Sequence, residues 1–200
     1  MNKTLHMSAA EYRDLMHPER NVDPDVRYRN HCSSDRGHAF ENLIMKGCQY
    51  YAQKGQAQIS KVYEPYRCIK KMQNGRFVGQ FVGRAEPDFK GVLCGGTAIA
   101  FEAKSTNKSR IQKSALTDPQ TQWLEAQRAM GALAFVCVDI SGRFFMIPWL
   151  IWRDMRSIYG KKFLMPDDIP EYEVIYDGSV RFLEYENGRT IKAEGVINHG

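Results

Sequence analysis

Residues 84–104, RAEPDFKGVLCGGTAIAFEAK, decide the fold. Asp88 follows Pro87, glycines stand at 91, 95 and 96, and the apolar segment 97–101 runs directly into Glu102 and Lys104. The pattern predicts a hairpin. Residues two apart in a strand share a face, so Glu102 and Lys104 project together while Phe101 and Ala103 face the other way. Asp88, near the start or end of the neighbouring strand, can then sit opposite them. A carboxylate emerging from an apolar strand is costly unless it has a partner. Two carboxylates and a lysine at one sheet edge suit metal-dependent phosphodiester hydrolysis. Hard oxygen ligands hold Mg²⁺ with waters retained, a metal-bound water ionises near neutral pH, and a lysine positions that water or offsets charge on the phosphate. The spacing P-D-x13-E-x-K also fits an exposed strand bearing an alternating ion pair.

Working outward, Ser34 or Asp35 can cap a helix whose apolar positions Phe40, Leu43, Ile44, Cys48 and Tyr51 recur at three- and four-residue spacing, ending near Gly55. Glu41 on this helix is a candidate further metal ligand, or a solvated acid. Residues 57–63 read as a strand. Asn74-Gly75 marks a tight hairpin turn flanked by Lys70, Lys71, Arg76 and Arg84, a basic hairpin suited to nucleic acid or an ordinary lysine-bearing edge. Residues 105–114 form a polar loop with Lys108, Arg110 and Lys113 and no acid. A helix from Thr117 or Asp118 carries Gln122, a candidate contact to water or phosphate, and Gly131 closes it. The run 132–140, ALAFVCVDI, reads as a buried strand, 143–147 as its partner, and Pro148 as the start of a further helix. One last strand is expected at 172–176 or 180–185. The order predicts a mixed sheet with helices on both faces.

With 200 residues, 43% hydrophobic and 26% charged, the chain fits one globular domain, 31–200, behind an N-terminal arm, 1–30, with a short helix near Ser8 to Met16. No run of eighteen apolar residues and no apolar leader occurs, so the expectation is a soluble cytoplasmic protein without a membrane partner. Five scattered cysteines with no C-x-x-C pair argue for reduced, mostly buried thiols rather than a disulfide framework or zinc ribbon. Between Arg36 and Arg84 there are nine Lys or Arg against Glu41 and Glu64, whereas 167–200 holds eight acids against three bases. This asymmetry puts a positive field on one part of the molecule, as a polyanion partner requires.

Taken in order, Arg36-Gly37-x-x-Phe40-Glu41, the basic segment before the site, Asp88 with Gly91, Phe101-Glu102-Ala103-Lys104, Gln122 and the AFVCV strand span about 36–152. Together they resemble the PD-(D/E)xK nuclease superfamily and, within it, the RecU-type Holliday junction resolvases of Gram-positive bacteria and their phages. The resemblance implies a restriction-endonuclease-like α/β fold with Mg²⁺, or Mn²⁺ in its place, at Asp88 and Glu102. It also implies a homodimer that binds four-way junctions and nicks them in pairs, with a recombinase as a candidate further partner. The segment from about 68 to 84 corresponds to a projecting stalk that enters the junction centre. Arg36, Lys70, Lys71, Arg76, Arg84, Lys108 and Arg110 are the expected DNA contacts. Two departures stand out: Ala85-Glu86-Pro87 replaces a Thr/Ser-rich approach to the aspartate, and Thr121 stands where a histidine precedes the glutamine. Glu86 could join the metal site or be solvated. A nuclease of the same fold acting on ends, flaps or duplex sites, and a non-cleaving DNA-binding or recombinase-modulating protein, are the alternatives.

Overall fold

The computed structural model describes residues 24–63, 66–71, 77–81 and 86–198. Its helices are α1 (Pro24–Gln53), α2 (Asp118–Ala129), α3 (Trp149–Arg153) and α4 (Met155–Tyr159). Its strands are β1 (Ala57–Lys61), β2 (Tyr66–Lys71), β3 (Phe77–Phe81), β4 (Phe89–Leu93), β5 (Ala98–Thr106), β6 (Ile111–Gln112) and β7 (Leu133–Ile140). They continue with β8 (Arg143–Pro148), β9 (Phe163–Leu164), β10 (Val174–Tyr176), β11 (Val180–Tyr185), β12 (Arg189–Lys192) and β13 (Gly195–Asn198).

The central sheet has the order β1-β4-β5-β7-β8, with β5 and β7 parallel and every other neighbour antiparallel. The expected mixed sheet is therefore present, and helices cover both faces. β7 shows why its sequence is continuously apolar. Phe135 and Cys137 enter one core with Phe40, Ile44 and Tyr51 of α1, while Val136, Val138 and Ile140 enter a second with Leu124 of α2 and Trp149 and Trp152 of α3. A strand buried on both faces has no polar side to alternate with.

The hairpin β4–β5 forms as expected, turning at Gly95 and Gly96 with φ of 98° and 90°. Gly91 answers a different demand, because a Cβ there would lie 2.1 Å from the Gln58 carbonyl oxygen of β1. Helix α1 differs from the expectation. It starts at Pro24, so Ser34 and Asp35 lie inside it rather than at its cap. Proline suits the first helical turn, and packing of Phe40, Ile44, Cys48 and Tyr51 carries the helix through weaker formers. The helix thereby crosses the boundary expected at residue 30. Gly55, with φ of 66°, ends it.

The C-terminal region differs more. In place of one last strand, β10–β13 build a four-stranded antiparallel sheet. It covers α1: Tyr51 Oη accepts a hydrogen bond from the Leu183 N–H at 3.1 Å, and Gly47 passes so close that a Cβ would lie 2.2 Å from the Val180 carbonyl oxygen. Strands β12 and β13 have four residues each and alternate only in part, which left little pattern to read.

Strands β2 and β3 pair antiparallel as a separate two-stranded sheet, the expected hairpin, with a register shift between Cys68 and Lys70. The Asn74-Gly75 turn, Arg76, Arg84, the Lys71 side chain and the helix expected near Ser8 to Met16 lie outside the described residues. Cys48 and Cys137 are buried, but Cys68 and Cys94 are exposed, so burial of the thiols holds for two of the four described; none of the four is in a disulfide. Among the described residues no helix is long and apolar enough to cross a membrane.

Candidate active site

The site is built where β4 begins and β5 leaves the core. Phe89 and Phe101 are opposite one another in register and stack at 5.1 Å, anchoring both strands on the α1 side. Strand alternation then turns Glu102 to the α2 side, where it pairs in register with Val136 of β7. Asp88 lies one residue before β4. Its Oδ2 accepts a hydrogen bond from the Ala103 N–H at 2.8 Å, which places its carboxylate beside Glu102. Lys104 Nζ lies 3.4 Å from Glu102 Oε2 and 3.8 Å from Asp88 Oδ2, so one ammonium serves two carboxylates.

Glu102 is 1% exposed. Burial, and after it the neighbouring Asp88 charge, raise its pKa to about 8, against a smaller opposing pull from Lys104. Lys104 alone does not balance the pair. The arrangement therefore fits a divalent cation: Mg²⁺ takes one or two carboxylates and fills its remaining positions with water and phosphate oxygens.

Helix α2 lays a further side chain, Gln120, against Glu102. Gln120 Nε2 donates to Glu102 Oε2 at 2.5 Å. Gln122 is exposed and lines a neighbouring groove with Asp118, Thr121 and Glu125. Two residues are about 200° of helical turn, so only one of these glutamines can face β5. The signal was present as Thr117-x-x-Gln120, in which the fourth residue of a helix start folds back over its cap. Gln120 Oε1 indeed accepts the Thr117 N–H at 3.0 Å, which points its amide nitrogen at Glu102.

Glu41 is not gathered into the carboxylate pair. Its Oε2 accepts from Lys61 at 2.6 Å and meets His38 at 3.3 Å, and among the described residues no group of three Asp, Glu, His or Cys is placed to hold a metal. Lys61 is aligned with Phe89, next to Asp88, and takes up the Glu41 charge there. Glu86 pairs with Lys90, an exposed ion pair on the approach to Asp88. Arg36 lies partly buried on α1, whereas Lys70 on β2 and Lys108 and Arg110 beyond β5 are exposed.

One β-hairpin of the mixed sheet thus brings Pro87-Asp88 to Glu102-x-Lys104, and α2 lays Gln120 against the second carboxylate. The chain belongs to the RecU family of Holliday junction resolvases: the family model described as Recombination protein U matches residues 35–185. No curated protein matches the chain significantly. Among solved structures, the 1.6 Å structure of Archaeoglobus fulgidus Hjc, a Holliday junction resolvase from an archaeal hyperthermophile, is similar over 54% of this chain and 76% of that chain, at 15% identity and a TM-score of 0.35.

Proposed function

We propose that the protein resolves four-way DNA junctions as a homodimer, nicking two strands of like polarity in a reaction that needs Mg²⁺ or Mn²⁺. The observation that carries this reading is the buried Glu102 carboxyl group held beside Asp88, with Lys104 within ion-pair distance of both. Asp88 and Glu102 would hold the divalent ion. When bound, the ion lowers the pKa of water and offsets charge that builds on the phosphate.

The chain's own groups do the rest. The Ala103 N–H donates to Asp88 and Gln120 donates to Glu102, so each carboxylate is held by a hydrogen bond. Lys104 is a compact point charge within hydrogen-bond reach of Glu102 and is placed to orient the attacking water or to bind a non-bridging phosphate oxygen. Lys70, Lys71, Arg76 and Arg84, on or next to the β2–β3 hairpin, would meet phosphates near the junction centre, and a recombinase would engage the protein elsewhere. Cleavage of four-way, flap, single-stranded and linear duplex DNA in Mg²⁺ tests the proposal. Paired nicks in the junction, outpacing the other substrates, are expected; equal cutting of linear duplex would overturn junction selectivity.

A further inference from the structure

Two basic stretches far apart in sequence, 107–113 (NKSRIQK) and 160–162 (GKK), are brought together by the short strands β6 and β9. Ile111 pairs with Leu164 and Gln112 with Phe163, and the Lys113 N–H continues the ladder to the Lys162 carbonyl at 2.9 Å. The loop before β6 is held firmly. Ser141, the only non-glycine residue with positive φ among those described, donates its hydroxyl to the Lys108 carbonyl at 3.0 Å and its N–H to the Thr106 carbonyl at 2.9 Å. A left-handed serine carries a conformational cost, and here its gain is a fixed loop.

The cations of this surface fall into two sets. Lys161 is answered by Asp168 at 2.7 Å, Arg153 by Asp154 and Glu125, and Lys113 reaches the Arg153 carbonyl. Lys108, Arg110 and Lys162 are exposed, and among the described residues no carboxylate lies within ion-pair distance of them. Lys108 stands four residues beyond Lys104, within ~13 Å of extended chain. Duplex DNA carries one charge per ~1.7 Å of axis, so a duplex placed at the site offers this surface several phosphates.

The surface favours duplex over single strand. Binding of single strands relies on open aromatic faces for base stacking. Phe163 is half-buried and flanked by the Arg110 guanidinium at 4.6 Å and the Lys161 ammonium at 4.9 Å from its ring centre. We propose that Lys108, Arg110 and Lys162 form a clamp for the phosphate backbone of a duplex arm, assembled by the β6–β9 pairing and separate from the β2–β3 hairpin. This rests on the nuclease reading above and adds where the arm beyond the cut is held.

The test compares the full-length protein with the Lys108→Ala, Arg110→Ala, Lys162→Ala triple variant and with Lys161→Ala, binding linear duplex across a salt series without divalent metal. Each neutralised phosphate contributes ~0.9 to the slope of log affinity against log salt. The triple variant is expected to lose about 2 to 3 from that slope, and Lys161→Ala less than half of the ~0.9 that one full contact contributes. An unchanged slope in the triple variant overturns the clamp, as does a loss of a full ~0.9 in Lys161→Ala. A loss confined to oligo-dT, with duplex binding intact, also overturns it. Should the triple variant show the slope loss while the wild-type protein cuts no DNA in Mg²⁺, the clamp stands and the nuclease reading fails. Matching thermal melts keep a folding defect from imitating the result.

Discussion

Asp88 is tied to β5 by the Ala103 N–H, which sits between Glu102 and Lys104 in the chain and donates to the Asp88 carboxylate at 2.8 Å. Asp88→Asn keeps the shape and loses the charge; Glu102→Gln does the same across the pair. Each is expected to lower junction cleavage by about a thousandfold or more while junction binding is retained. Gel-shift and cleavage assays on the same preparations check this, and undiminished cleavage in both variants would remove the site from the mechanism.

Gln120 and Gln122 offer a sharper comparison. Gln120→Ala frees the Glu102 carboxylate and is expected to reduce cleavage by about 10- to 100-fold, the range seen when a side chain that orients a metal ligand is lost. Gln122→Ala, on the exposed side of α2, is expected to cut at nearly the wild-type rate. Single-turnover rates at saturating protein separate this effect from weaker binding.

Metal-free stability should depend on pH with a sign opposite to that of a salt-bridged acid. Glu102 has a folded pKa near 8 against 4.5 as its ordinary value, so between those limits the folded protein holds a proton that the unfolded chain has released. Stability from this group is present at low pH and declines as pH rises toward 8, by up to ~1.4 kcal/mol per pH unit. Urea unfolding in EDTA at pH 5, 6.5 and 8 is expected to show the decline, and Glu102→Gln to flatten it. Divalent metal should oppose it by favouring the ionised carboxylate.

Gly91 sits beside β1, in register with Ile59, with no room for a methyl group: a Cβ would approach Gln58 O to 2.1 Å and Ile59 Cα to 2.6 Å. Because these contacts are backbone, rotamer changes cannot relieve them. Gly91→Ala is expected to cost about 1–3 kcal/mol in urea unfolding and to lower cleavage, since β4 carries Asp88 into place. An Ala variant as stable as wild type would mean that β1 and β4 separate freely.

Much of this was legible in the sequence because the residues concerned answer local demands. The β4–β5 hairpin follows from Gly95 and Gly96 and the apolar run before Glu102, and β7 from an uninterrupted apolar stretch. Helix α2 begins where Thr117 marks it. What escaped was non-local. Choosing Gln120 over Gln122 needed the rotation of α2 relative to β5, which a helix start two residues away hints at and packing decides. The pairing of Glu41 with Lys61 joins residues twenty apart through the approach of α1 to β1. Strands β12 and β13 are held by neighbours more than by their own pattern.

The side chain of Gln120 has two ends, and both are spoken for. Its oxygen closes the beginning of α2 on Thr117 and its nitrogen closes on Glu102. An amide used this way has no freedom to flip, so nucleating the helix and arming the site become one event. Fraying of the first turn of α2 would therefore release Glu102 together with the cap, so the order of this one turn and the order of the carboxylate are coupled.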